Sequence, residues 1–144
     1  MSQSKGLIVC CSDPRLVVWM DKYIKERGWR PMEVDRLINP GVVPALAWKM
    51  SYSERDVYLK NIKLLFDAHH FEEIVLVSHQ DCAAIGGSAK YATPELEQKD
   101  QEQMLSMAQQ NIEKVLAPAK VKIALVYVSR EIFDTLNQQW LDAA

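Results

Sequence analysis

Unbroken apolar runs alternate along this chain with stretches of helical period, and their order predicts an architecture. Leu7-Ile8-Val9-Cys10 is a continuous apolar run, the pattern of a strand covered on both faces of a parallel sheet. Asp13-Pro14 then opens a helix, with Asp as N-cap and Pro at the first helical position. Leu16, Val17, Met20, Tyr23 and Ile24 give that helix an apolar face, and Gly28 ends it. A second strand is expected from Met32 to Ile38, closed by the turn tripeptide Asn39-Pro40-Gly41. Val42 to Met50 reads as a short helix. A longer one starts near Ser53, where Ser-Glu-Arg-Asp resembles a capping arrangement. Val57, Ile62, Leu65 and Phe66 carry its buried face, and it ends near His69-His70.

Ile74 to Ser78 is a third apolar strand, followed by loop or short turns over residues 83–94, which hold Gly86-Gly87 and Pro94. Glu95 to Leu116 reads as a long polar helix with Leu105, Ala108, Ile112 and Val115 on one side, broken by Pro118. Val121 to Val128 is a fourth strand and Glu131 to Trp140 a final helix. This alternation predicts an α/β fold: a mostly parallel four-stranded sheet with helices on both faces. No repeat, linker or low-complexity stretch interrupts it, so residues 1–144 are expected to form one domain.

Composition narrows the functional classes. The chain has 144 residues, 49% hydrophobic and 25% charged, with a net charge of −2. A core of useful size is within reach without disulfides. No stripe of Lys or Arg suggests nucleic acid as a partner, and no apolar run approaches the roughly 18 residues of a membrane helix. The start, Met-Ser-Gln-Ser-Lys-Gly, lacks the pattern of a signal peptide. Cysteine occurs three times, twice as the adjacent pair Cys10-Cys11, which suits no simple disulfide framework. A reducing cytoplasmic setting is expected, where such cysteines more often bind metal or react.

Two short motifs carry the chemistry. Cys11-Ser-Asp13-Pro-Arg15 follows the first apolar strand, and His79-Gln-Asp-Cys82 follows the third. In a doubly wound sheet, ligand sites lie just beyond the carboxyl ends of the strands, so the two motifs are expected to meet. The three-residue spacing of His79 and Cys82 would put both on one side of a helical turn. Cys11, His79 and Cys82 then form a three-ligand zinc set with one coordination position open, the mark of a catalytic rather than a structural site. Zinc there could make a hydroxide nucleophile from water near neutral pH. Asp13 is placed either to accept a hydrogen bond from that water, with Arg15 holding it ionised and oriented, or to take the fourth zinc position itself.

Cys-x-Asp-x-Arg followed by His-x-x-Cys resembles the signature of the β-class carbonic anhydrases, in particular their short, divergent members. The resemblance implies Zn2+ on Cys11, His79 and Cys82, with Asp13 and Arg15 as a catalytic dyad beside it. It also implies reversible hydration of carbon dioxide to bicarbonate, a four-stranded parallel core, and a homodimer or higher homo-oligomer with the site near a subunit interface. Some neighbours differ from the common pattern. Pro14 stands where Ser is usual, Ile38-Asn39-Pro40-Gly41 replaces an Arg-bearing segment, and Ser78 and Ala83 replace glycines.

The remaining candidates read more plainly. Cys10 points away from Cys11 by strand alternation and belongs to the core. His69-His70 is a polar helix end, Asp81 a solvated or capping residue, and Gly86-Gly87 no phosphate loop. The Gln-rich face of residues 97–110 reads as solvated, and Val42, Ala83 and Ile85 as walls of a small substrate pocket. Two other uses of the motifs stay open: the same chemistry on carbonyl sulfide or carbon disulfide, and a non-catalytic zinc protein closed by Asp13.

Overall fold

The computed structural model describes residues 4–48 and 52–144. Residues 1–3, and the end of the expected short helix at Lys49-Met50, lie outside them. Its main elements in chain order are β1 (Gly6–Cys10), α1 (Leu16–Glu26), β2 (Val34–Ile38), α2 (Val42–Leu46), α3 (Tyr52–His69), β3 (Glu73–His79), α4 (Pro94–Leu116), β4 (Lys122–Val128) and α5 (Arg130–Ala143). The four strands form one parallel sheet in the order β2-β1-β3-β4.

The unbroken apolar runs are explained by cover on both faces. Leu7, Val9, Ile74 and Leu76 point to the side packed by Leu46 of α2, Ile62 of α3 and Leu105 and Ile112 of α4. The alternate residues Ile8, Cys10, Val75 and Val77 meet Leu16, Trp19 and Ile24 of α1 and Phe133 and Leu136 of α5. Successive side chains of a strand face opposite ways, so only a two-sided core makes every position apolar. Both central strands, β1 and β3, are buried throughout. Edge strand β4 is half open, with Leu125 41% exposed.

This topology creates the crevice that the two motifs need. After β1 the chain turns to one face through α1, and after β3 it turns to the other through α4. The carboxyl ends of these two neighbouring strands therefore diverge, as at the ligand-binding switch point of doubly wound sheets. The register pairs Val9 with Leu76, and continuing that offset sets Cys11 level with Ser78, one residue short of His79.

Several boundaries differ from expectation for local reasons. Met32 is not in β2: Pro31–Glu33 forms a 3-10 turn, closed by the Glu33 carboxylate on the Arg30 N–H at 3.0 Å, and leaves Met32 exposed. The turn at Asp13-Pro14 starts the helix with two i-to-i+3 bonds, Leu16 N–H to Asp13 O and Val17 N–H to Pro14 O, and regular α1 begins at Leu16. Val17 and Val57, expected on buried faces, are exposed, because only the narrower stripes through Leu16-Met20-Ile24 and through Ile62 enter the two cores. Helix α2 stops at Leu46, with Trp48 in the left-handed region at φ 71°. Strand β3 extends one residue further at each end than the expected Ile74–Ser78, so His79 is its last residue.

Candidate metal centre

Cys11 follows β1, His79 ends β3, and Cys82 sits three residues on; the structure brings all three together. Their ligand atoms lie within 4.8 Å of one another. His79 and Cys82 are buried and Cys11 is half-buried. They line a cavity of about 10 Å³, shared with Gly41, Val42, Val43, Pro44, Val77, Ser78 and Gln101. That is room for roughly one water-sized particle. Val42 thus lies where the sequence suggests, but Ala83 and Ile85 do not line this cavity. The apolar wall comes instead from Val43, Pro44 and Val77.

His79 and Cys82 do not meet across a helical turn as their spacing suggests. His79 is still strand, Asp81 is left-handed at φ 63°, and Cys82 is extended before the 3-10 turn Ala83–Ile85. The reversal at Asp81 is what returns Cys82 to the imidazole. Hydrogen bonds fix this turn. Gln80 N–H donates to Val128 O at 2.9 Å, and the Gln80 side-chain oxygen accepts from Arg130 N–H at 2.9 Å. Ile85 and Gly87 N–H both donate to Cys82 O, at 3.2 and 2.9 Å. The Asp81 carboxylate accepts from Ser88 N–H at 2.8 Å.

The histidine tautomer follows from its partners. His79 Nδ1 lies 2.9 Å from Gln80 O, and a carbonyl can only accept, so Nδ1 carries the proton. In the neutral ring, Nε2 is then the bare nitrogen. It is buried and has no hydrogen-bond partner. Buried polar atoms are nearly always satisfied, and an imidazole fixed by a carbonyl on its far nitrogen is the usual state of a histidine that binds metal. The orphan sits beside two thiols.

Those thiols are primed for the same role. The Cys82 S–H bond to Cys11 is the largest influence pulling the Cys11 pKa down, to about 3, against burial; the adjacent His79 ring adds to it, although no hydrogen bond of normal geometry joins the two, as do backbone N–H groups of Gly41 and Asp13. Cys82 is pushed up by that shared bond and by burial, so the pair holds one proton between its sulfurs. A dication would displace that proton, and two thiolates with one neutral imidazole would balance its charge. The donor set and the orphaned nitrogen both fit zinc. Cys10 has the opposite environment: it is fully buried against α1 and α5, and burial raises its thiol to about 12.

Asp13 and Arg15 pair closely. Asp13 Oδ1 accepts from Arg15 N–H at 2.9 Å and Nε–H at 3.0 Å, and Oδ2 accepts from Nη2 at 2.8 Å. The Arg15 guanidinium holds the Asp13 carboxyl below its ordinary pKa. Arg15 also donates to Asp81 O at 3.0 Å and lies over the Phe133 ring, so it links the two motifs. The Asp13 carboxylate is not among the ligand atoms clustered with Cys11, His79 and Cys82.

The supposedly solvated face of α4 requires correction. Glu97 and Gln101 are buried, at 1% and 2% exposure. Gln101 Nε2 donates to His79 O at 2.7 Å, and Glu97 accepts from Asp81 N–H at 2.6 Å and from Ser88 O–H at 2.8 Å. One sequence signal could have found them: they lie four apart, on the stripe that continues through Leu105, Ala108 and Ile112. His69, the last residue of α3, is held by Asp35 at 2.8 Å and plays no part in the cluster.

Comparison with known proteins adds family and fold. A family model described as "Putative carbonic anhydrase" matches residues 1–135. An uncharacterized protein of Rickettsia bellii (strain RML369-C) is 24% identical over 124 residues, covering 84% of this chain and 75% of that protein. The β-carbonic anhydrase isoform I of the protozoan Trichomonas vaginalis is similar in structure, with a TM-score of 0.56 and 15% identity, over 89% of this chain and 78% of that one. One of two tetrameric β-carbonic anhydrases from the ascomycete Sordaria macrospora gives a TM-score of 0.46 and 18% identity, over 92% and 79% of the two chains.

Proposed function

The chain belongs to the carbonic anhydrase family that this match defines, and from that premise we propose that it is a zinc-dependent carbonate dehydratase, interconverting carbon dioxide and bicarbonate. The observation that carries the metal is the buried, unpartnered Nε2 of His79 among two thiols within 4.8 Å. Cys11, His79 and Cys82 would hold the ion. Zinc, when bound, supplies Lewis acidity that makes water acidic and polarises small oxygen-bearing molecules.

The remaining steps belong to the chain's own residues. His79 keeps its proton on Nδ1 against Gln80 O, so it serves as a ligand and not as a general base. Asp13, ionised by Arg15, is the acceptor that orients a donor hydroxyl at the cluster mouth. A carboxylate has about four lone-pair sites, and Arg15 fills three, which leaves one for substrate or water. Arg15 positions Asp13 and ties it to the Asp81 backbone. Val42, Val43 and Val77 give the cavity an apolar wall suited to an uncharged molecule. The three free cysteines fit a reducing cytoplasm, and the open edge of β4 fits assembly into a homodimer or larger homo-oligomer.

One observation favours a second reading, a zinc protein without turnover: the cavity at the cluster is only about 10 Å³. Asp13 as permanent fourth ligand is the weaker form of it, since its carboxylate is not among the ligand atoms clustered with Cys11, His79 and Cys82. Zinc content and carbon dioxide hydration, measured together at several pH values, separate the two. One zinc per chain with hydration supports the enzyme. One zinc with no hydration at any pH leaves the closed site, and absence of bound zinc overturns both.

A further inference from the structure

The geometry points to Glu97 and Gln101 of α4 as the pair that positions the His79–Cys82 turn for metal, a role that rests on the zinc reading above. Neither is a ligand. Each acts on the backbone that carries a ligand.

The two side chains lie one helical turn apart on the same face of a 23-residue helix. Gln101 donates to the His79 carbonyl at 2.7 Å, and Glu97 accepts the Asp81 N–H at 2.6 Å. They therefore hold the peptides on either side of Gln80, the residue at which strand becomes turn. Asp81 is left-handed at φ 63°, a conformation that Asp adopts more readily than most residues but still at some cost. Such strain persists only where the surroundings over-determine it, and here Glu97 fixes the Asp81 amide while Ser88 N–H fixes its carboxylate. Without that reversal Cys82 would not return to His79.

The chemistry of Glu97 argues against a packing role. A carboxylate at 1% exposure is costly to bury, and both partners described above, the Asp81 N–H and the Ser88 hydroxyl, are neutral donors. An apolar residue would fill this stripe of α4 more cheaply. What the carboxylate supplies, and an apolar residue cannot, is a strong, directed acceptor for the Asp81 N–H. Gln101 also lines the ligand cavity, so its amide reaches the backbone from the metal's own side. Outer partners of this kind typically govern metal affinity by roughly 10- to 100-fold.

The test uses the full chain with Glu97→Gln, Gln101→Leu and, as a charge control on the exposed side of α4, Glu102→Gln. Zinc affinity is read by competition with a chromophoric chelator. Ligand geometry is read from the thiolate charge-transfer and d–d bands of the cobalt(II)-loaded protein. Both positioning variants should lose roughly 10- to 100-fold in zinc affinity and alter the cobalt spectrum while circular dichroism shows them folded; Glu102→Gln should match the wild type. Folded variants with wild-type affinity and spectrum overturn the inference. Should Glu97→Gln fail to fold, Gln101→Leu alone decides by the same criteria. A wild type that binds no zinc ends the zinc reading but not this test. Amide exchange at Asp81 in the metal-free protein must then be faster in whichever positioning variant folds, and an unchanged rate sinks the positioning role.

Discussion

His79 divides its ring between two tasks: Nδ1 donates to Gln80 O, and Nε2 is left bare and buried beside Cys11 and Cys82. That division decides what a single substitution does at this site, since among the described residues these three form the one clustered donor set and replacing any of them leaves two. The adjacent cysteines also divide. Cys10, the last residue of β1, is buried in the α1/α5 core, whereas Cys11, just past the strand end, packs against the edge of that core and also lines the cavity. A residue outside the cluster gives a test of pH dependence. Burial first, then the charges of Glu97 and Glu102, push Tyr127 up from 10.0 to about 12. Between pH 10 and about 12 the unfolded chain has lost a proton that the folded chain retains, so this contribution to stability is intact below pH 10 and declines across that window. Urea denaturation at stepwise pH should show a steeper loss for wild type than for Tyr127→Phe; parallel curves would show that Tyr127 titrates normally.

Elements position the site through their ends rather than their lengths. Strand β1 and strand β3 are neighbours whose following helices leave for opposite faces, and this opens the crevice between Cys11 and His79. The far end of the same sheet is closed by the connection from α1 to β2. There Trp29 covers Gly6 so closely that an added Cβ would lie 2.7 Å from Trp29 Cη2 and 2.9 Å from Cζ3. The Trp29 ring in turn lies under the Arg27 guanidinium at 4.6 Å. Gly6→Ala should therefore push the indole outward, with a red-shifted tryptophan emission and a stability loss of about 1–3 kcal/mol, the usual cost of overpacking. Unchanged emission and stability would mean that the contact yields without consequence. Element identity was legible here because β1, β3 and β4 are short apolar runs rich in β-branched residues and the long helices have apolar stripes, whereas β2, Val-Asp-Arg-Leu-Ile, was marked mainly by the turn that follows it. Boundaries were less so. The Pro31–Glu33 turn and the early stop of α2 depend on local hydrogen bonds that periodicity does not record.

At the scale of the whole molecule, metal and fold should be linked, because the ligands come from two separate strand ends. Anything that binds only the folded state stabilises it, by about 2.7 kcal/mol at a hundredfold excess over Kd. Zinc should raise the melting temperature by several degrees in one cooperative transition, a chelator should reverse the rise, and Cys82→Ala should show none. A melting temperature indifferent to zinc would break the link, and two separate transitions would contradict a single domain. No helix among the described residues is long and apolar enough to cross a membrane. Strand and helix order, the parallel sheet and the three candidate ligands could be read along the chain. These depend on periodicity and residue type, which are local. The folded chain was needed to reveal that Asp81 reverses direction between two candidate ligands, that Arg15 bonds both oxygens of Asp13, and that Glu97 and Gln101 are buried against the turn. Polar groups such as these look the same in sequence whether solvated or enclosed, and their partners are distant residues that meet only when the sheet brings its strand ends together.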